Sequence, residues 1–127
     1  MSNSSNPSPE IIKHVYSLCY NFSATLVGKE KTRELLLKSY RKILPYFQSL
    51  SSFEMDKKNG LMIQKPDISE KEFLSFTVWI QQFIKDFKAF MVGLHHLSIE
   101  TITAEIKDQL EETGFYEYYR EATELEY

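Results

Sequence analysis

The sequence predicts a mainly α protein: a four-helix arrangement of two helical hairpins, with a small β-hairpin between them and an aromatic C-terminal tail. Three observations predict it. Apolar residues recur at intervals of three and four along most of the chain. Gly and Pro are scarce, four of each, which argues against an all-β fold with many turns. One phrase occurs twice, FSATLVG at 22–28 and FKAFMVG at 87–93, in the pattern F-x-A-x-[LM]-V-G.

The chain opens on MSNSSNPSPE, which is polar and lacks the basic start and apolar stretch of a signal peptide. Residues 1–8 are expected to be a disordered tail, and 9–127 a single helical domain. Ser8-Pro9-Glu10 suits a helix start: Ser8 caps, Pro9 fits the first turn and Glu10 favours the positive end of the dipole. Ile11, Val15, Leu18, Phe22 and Leu26 then line a first helix that ends near Val27.

Gly28 can end one helix and cap the next, so a break is expected there. Lys29 to Leu44 is rich in helix formers, with Leu36, Tyr40, Ile43 and Phe47 on one face, and Pro45 ends or kinks this second helix.

Residues 53–64 change period. Asn59-Gly60 signals a hairpin, with Lys58, Asn59 and Gly60 as a three-residue loop and Gly60 left-handed. That register sets Lys57 against Leu61 and Met55 against Ile63. Phe53, Met55, Leu61 and Ile63 then share one face, which must pack on helices.

Ser69 and Glu72 are spaced as a capping box. Phe73, Phe76, Ile80, Phe83, Phe87, Phe90 and Leu94 follow at alternating intervals of three and four, a seam of mostly aromatic residues on the third helix. Ser98 caps a fourth helix lined by Ile99, Ile102, Ile106 and Leu110, with Gly114 at its C-terminal end. The tail, 115–127, is aromatic and acidic together.

Shifted by 65 positions, Val15 matches Ile80, Leu18 matches Phe83, Cys19 matches Ile84 and Phe22 matches Phe87. Ala24 and Gly28, like Ala89 and Gly93, are small residues one turn apart that let another backbone come close. Internal duplication about a pseudo-two-fold axis is one reading. Coincidence in an apolar pattern is the other.

Charge is uneven. Residues 1–65 carry ten Lys/Arg against five Asp/Glu, net +5; residues 66–127 carry five against thirteen, net −8. Such a split suits an intramolecular match, a head-to-tail partner or two binding faces. A single cysteine, Cys19, has no disulfide partner, so a cytoplasmic location is expected. No apolar run approaches the roughly 20 residues of a membrane span, and no membrane partner is expected.

Chemistry is hard to find. His95 or His96 with Glu100 one turn on, and Glu30 from the other half, form a weak metal candidate. No HxxxH, HExxH or ExxH spacing supports it, and adjacent histidines diverge on a helix. Cys19 lies on an apolar face and reads as an inert core thiol. No P-loop or GxGxxG occurs. Catalytic residues and cofactors are therefore expected to be none.

Lys29, Lys31, Arg33, Lys38, Arg41 and Lys42 make the second helix basic. Glu30 and Glu34 pair with Arg33 and Lys38 at helical spacing, and the acidic half repels phosphates, so no nucleic-acid partner is expected. Phe76, Phe83, Phe87 and Phe90 either fill a core or line an apolar ligand site between helices. Phe115, Tyr116, Tyr118 and Tyr119 suit an interface, because Tyr joins apolar area to a polar tip. Docking of the tail on the chain's own second helix is the alternative.

The stretch LVGKEKTRELLLKSYRKIL at 26–44, with DKKNGLMI and LEETGFYEYY, resembles small helical domains that accompany sensor and regulatory modules in prokaryotic signalling proteins. The resemblance implies a regulatory or interaction role in intracellular signalling and carries no functional residues with it. The expected function is a non-enzymatic interaction module that self-associates, as a homodimer, through Lys38, Arg41, Lys42 and the aromatic tail. The alternative is a sensor binding an apolar ligand along the Phe stripe.

Overall fold

Three serines start three helices. The Ser8 hydroxyl accepts from the Ile11 N–H at 3.2 Å and opens α1, Pro9–Val27. Ser69 and Glu72 form a complete capping box and open α3, Glu70–Phe90. The Ser98 hydroxyl accepts from the Thr101 N–H at 3.2 Å and opens α4, Ile99–Ile102. The remaining helices are α2, Lys29–Ile43, α5, Lys107–Thr113, and α6, Phe115–Thr123, with 3-10 turns at Gln48–Ser52 and Ala104–Ile106. This is a computed structural model that describes residues 8–94 and 96–125. The expected N-terminal tail, apart from Ser8, His95 and the last two residues of the aromatic tail lie outside the described residues.

The fold is mainly helical with one small antiparallel sheet. Gly28 breaks the first two helices with φ +90° and ψ 164°, a conformation that side chains with a Cβ avoid. Its N–H donates to the Ala24 carbonyl, and its own carbonyl accepts from the Thr32 N–H. Across the break, Ser23 and Thr32 share a buried hydrogen bond of 2.7 Å. α2 thus folds back along α1.

α1 and α3 run side by side in the same direction. Tyr16 meets Trp79 and, two turns on, Phe22 meets Phe87 edge to face at 6.1 Å. α2 lies antiparallel against α3, where the buried Trp79 indole donates to the Leu36 carbonyl and the Ser39 hydroxyl, both at 3.1 Å. α6 covers a further flank of α3, with Phe115 and Tyr118 packed on Phe73.

The β-hairpin pairs β1, Phe53–Met55, with β2, Leu61–Ile63. Its register is Phe53↔Ile63 and Met55↔Leu61, two residues from the expected Met55↔Ile63 pairing. The loop is Lys57-Lys58-Asn59, and Asn59, rather than Gly60, is left-handed at φ +67°. The cause is Asp56, whose carboxylate accepts from the Lys58 and Gly60 N–H groups, both at 2.8 Å, and closes the loop one residue early. A shift of two keeps side-chain parity, so Phe53 and Leu61 still face the core.

The second half does not copy the first. α1 runs to the residue before Gly28, whereas α3 stops at Phe90, three residues short of Gly93. The expected fourth helix from Ser98 to Gly114 is three short pieces. The β-branched run Ile99, Thr101, Ile102 and Thr103 is weakly helical, and the Thr103 hydroxyl bonds the Ile99 carbonyl and the Tyr116 hydroxyl instead.

Candidate functional site

α2 turns one face to Trp79 and the opposite face to solvent. Leu35, Leu36, Ser39 and Ile43 are buried, while Lys38, Arg41 and Lys42 are exposed. Lys38 and Arg41 rim a shallow groove of about 460 Å³ between α2 and α3, which also includes Lys31, Glu34, Asp86 and Phe90. Phe90 is 48% exposed, and the Lys31 ammonium sits 4.4 Å from its ring centroid, a cation–π contact.

Asp86 lies beneath this rim. Its Oδ1 accepts from Gln82 Nε2 at 2.8 Å and lies 3.7 Å from Lys42 Nζ. Its Oδ2 is the one buried side-chain polar atom without a hydrogen-bond partner among the described residues. Asp86 therefore offsets part of the basic charge, and Lys38 and Arg41 form no ion pair with any described residue.

The acidic charge gathers elsewhere. Glu111 and Glu112 on α5, Glu117 and Glu121 on α6, and Glu124 just beyond it are all exposed. Because α6 packs on α3, no ion pair joins α2 to residues 99–125 among the described residues. The two charged faces stay separate on one molecule.

No protein-family model, curated protein or solved structure matches this chain. What it can do must be read from its own side chains.

The tail docks on α3 rather than on α2. Phe115 is fully buried and Tyr116 nearly so, its hydroxyl 2.8 Å from Thr103 Oγ1. Only Tyr118 and Tyr119 keep partial exposure. Two of the four aromatic residues expected at an interface are thus core. The Phe stripe is core as well: Phe76 packs on Phe53 and Trp79, and Phe83 stacks on Phe87. Phe76, Phe83 and Phe87 are at most 1% exposed, and only Phe90 faces solvent.

Among the described residues no group of three or more His, Cys, Asp and Glu side chains is placed to hold a metal ion. Glu100 is exposed at the start of α4, and His14, which had no assigned role, lies 3.2 Å from Glu105. Cys19 is buried, and burial pushes its thiol up to about 12. No described helix is long and apolar enough to cross a membrane.

Two side chains had no signal as site residues in the sequence. Asp86 and Gln81 lie on α3 between seam positions and read there as ordinary polar filler. Only the packing of α2 and α6 against α3 shows that both are enclosed.

Proposed function

We propose that the protein is an interaction module that self-associates by charge, setting the α2 face of one copy against the α5–α6 face of another. One observation carries the reading: exposed Lys38, Arg41 and Lys42 and exposed Glu111, Glu117 and Glu121 lie on separate faces, and among the described residues no ion pair joins the two sets. Separated faces of opposite sign attract between copies, and the attraction guides register more than it adds affinity. The half-exposed Phe90 and the partly exposed Tyr118 add apolar area to the two faces.

The faces differ from one another, so the contact is heterologous unless two copies use both pairs at once about a two-fold axis. The second arrangement gives the homodimer and has two equivalent salt-sensitive patches. A regulatory role follows in outline, because an acidic segment of another protein competes for the same α2 face.

Sedimentation equilibrium at low and high salt tests the proposal. Association that weakens as salt rises is expected, since exposed charges are screened beyond about 10 Å at 0.1 M salt. A chain that stays monomeric at low salt and high concentration overturns it.

A further inference from the structure

We propose that the cleft between α3, the start of α4 and α6 binds a metabolite-sized carboxylic acid with an apolar body. The cleft measures about 320 Å³ and takes Gln81, Lys85 and Lys88 from α3, Glu100 from α4, and Tyr119 and Thr123 from α6. This volume is at the small end of ordinary ligand sites, which start near 300 Å³.

Gln81 is the deciding side chain. It is 9% exposed and lines the cleft, yet its amide has no hydrogen-bond partner among the described residues. The amide atoms open into the cleft, so water in the empty cleft, or a ligand in the filled one, bonds them. Tyr119 presents a second open group. Its ring packs on Phe115, but its hydroxyl makes no hydrogen bond with a described residue. Burial pushes that hydroxyl well above the usual tyrosine range, so it stays a neutral donor.

The charges select an acid. Lys85 and Lys88 lie one turn apart on the same helix face and outnumber Glu100. A single carboxylate meets the lysines and leaves Gln81 and Tyr119 to bond its second oxygen or a neighbouring polar group. A phosphate dianion suits the cleft less well, because Glu100 repels it and no glycine-rich backbone cradle is present. Ile84, Leu97 and Ile99 supply an apolar wall for the body of the molecule. The site uses neither the Phe stripe nor the basic face of α2.

The full chain, labelled with nitrogen-15, is titrated with benzoate, hexanoate, benzamide and inorganic phosphate by NMR. Benzoate or hexanoate is expected to move the amide signals of residues 81–88, 97–100 and 119–123 saturably. Benzamide and phosphate are expected to bind at least about tenfold more weakly. Gln81→Leu should weaken the acid by at least about tenfold without lowering the melting temperature, because the amide bonds no other described residue. Tyr119→Phe, which deletes only an unbonded hydroxyl, should weaken binding several-fold in a protein of unchanged stability. The assignment is overturned if benzamide equals benzoate, if both variants bind as the parent does, or if neither acid moves these signals at about 10 mM.

Discussion

Arg33 Nη1 lies 2.7 Å from Asn59 Oδ1 and 2.9 Å from the Asp56 carbonyl, so one guanidinium on α2 holds the turn of the β-hairpin. From α1, the Tyr16 hydroxyl donates to the Asn59 carbonyl at 2.8 Å, and the Tyr20 hydroxyl accepts from Asn59 Nδ2 at 2.9 Å. A two-stranded ribbon is marginal alone, and here its tip is fixed by both helices of the first hairpin. Asn59→Ala removes the side-chain bonds and leaves a Cβ residue left-handed, which should cost about 2–4 kcal/mol. Asn59→Gly removes the same bonds but relaxes the backbone, and should cost about 1–2 kcal/mol. Urea unfolding of both variants checks this; equal losses would show that the left-handed turn carries no strain.

Glu72 ties the 3-10 turn, the hairpin strand end and α3 together. It accepts from the Ser52 hydroxyl, from the Ser69 N–H at 2.9 Å and from Lys65 Nζ at 3.0 Å. Burial would raise its pKa, but these partners outweigh burial and hold the carboxyl at about 2, against 4.5 unperturbed. A depressed folded pKa contributes stability that is present above pH 4.5 and lost as the pH falls towards 2. Glu72→Gln should cost about 1–3 kcal/mol at neutral pH and flatten this acid limb. Urea midpoints between neutral pH and the acid limb decide it. An acid limb unchanged in the variant would assign the loss to other carboxylates.

Gly28 holds its positive φ with open space where a Cβ would stand. Gly28→Ala therefore strains the backbone without clashing, and should lower stability by about 1–3 kcal/mol. Thermal unfolding measures the loss. A neutral result would mean that α1 and α2 join into one helix at no cost.

The thiol of Cys19 stays protonated up to about 12 through burial. Ellman's reagent at mildly alkaline pH should react only as fast as the chain opens, and at once in denaturant. Rapid labelling of the native protein would place Cys19 at a mobile surface. Since the unfolded thiol ionises near 9.0, this group lowers stability as the pH rises from 9.0 towards 12.

Reversing the charge of α2 with Lys38→Glu, Arg41→Glu and Lys42→Glu should abolish self-association at low salt. Adding Glu111→Lys, Glu117→Lys and Glu121→Lys to the same chain should restore it, because the two faces exchange sign together. Light scattering after gel filtration reads the outcome. Restoration by the six-fold variant is not expected if the triple variant fails only through misfolding.

Local signals made most of the fold legible. Ser8, Ser69 and Ser98 each start a helix where the sequence places a cap, and Gly28 breaks one where expected. The hairpin register was not legible, because Arg33 and Asp56 set it through groups outside the turn pair. The tail's sequence points to an interface, or by charge to docking on α2, yet it packs on α3. Burying Phe115 and Tyr116 outweighs surface ion pairs, which are worth about 0–1 kcal/mol each. The fourth helix divides because Thr103 bonds Tyr116, a contact no periodicity reveals. The α2 face was legible as a run of cations, whereas Gln81 shows its isolation only once α6 is in place.

Trp79 stands on α3 with Tyr16 of α1 at 5.9 Å and Tyr40 of α2 at 5.2 Å, and it is the chain's one tryptophan. The protein therefore carries an intrinsic optical gauge at the junction of its three long helices. Loosening of either neighbour admits water to the indole and shifts its emission to the red. A dye-free fluorescence trace can thus follow the core, while changes confined to the outer charged faces leave the signal still.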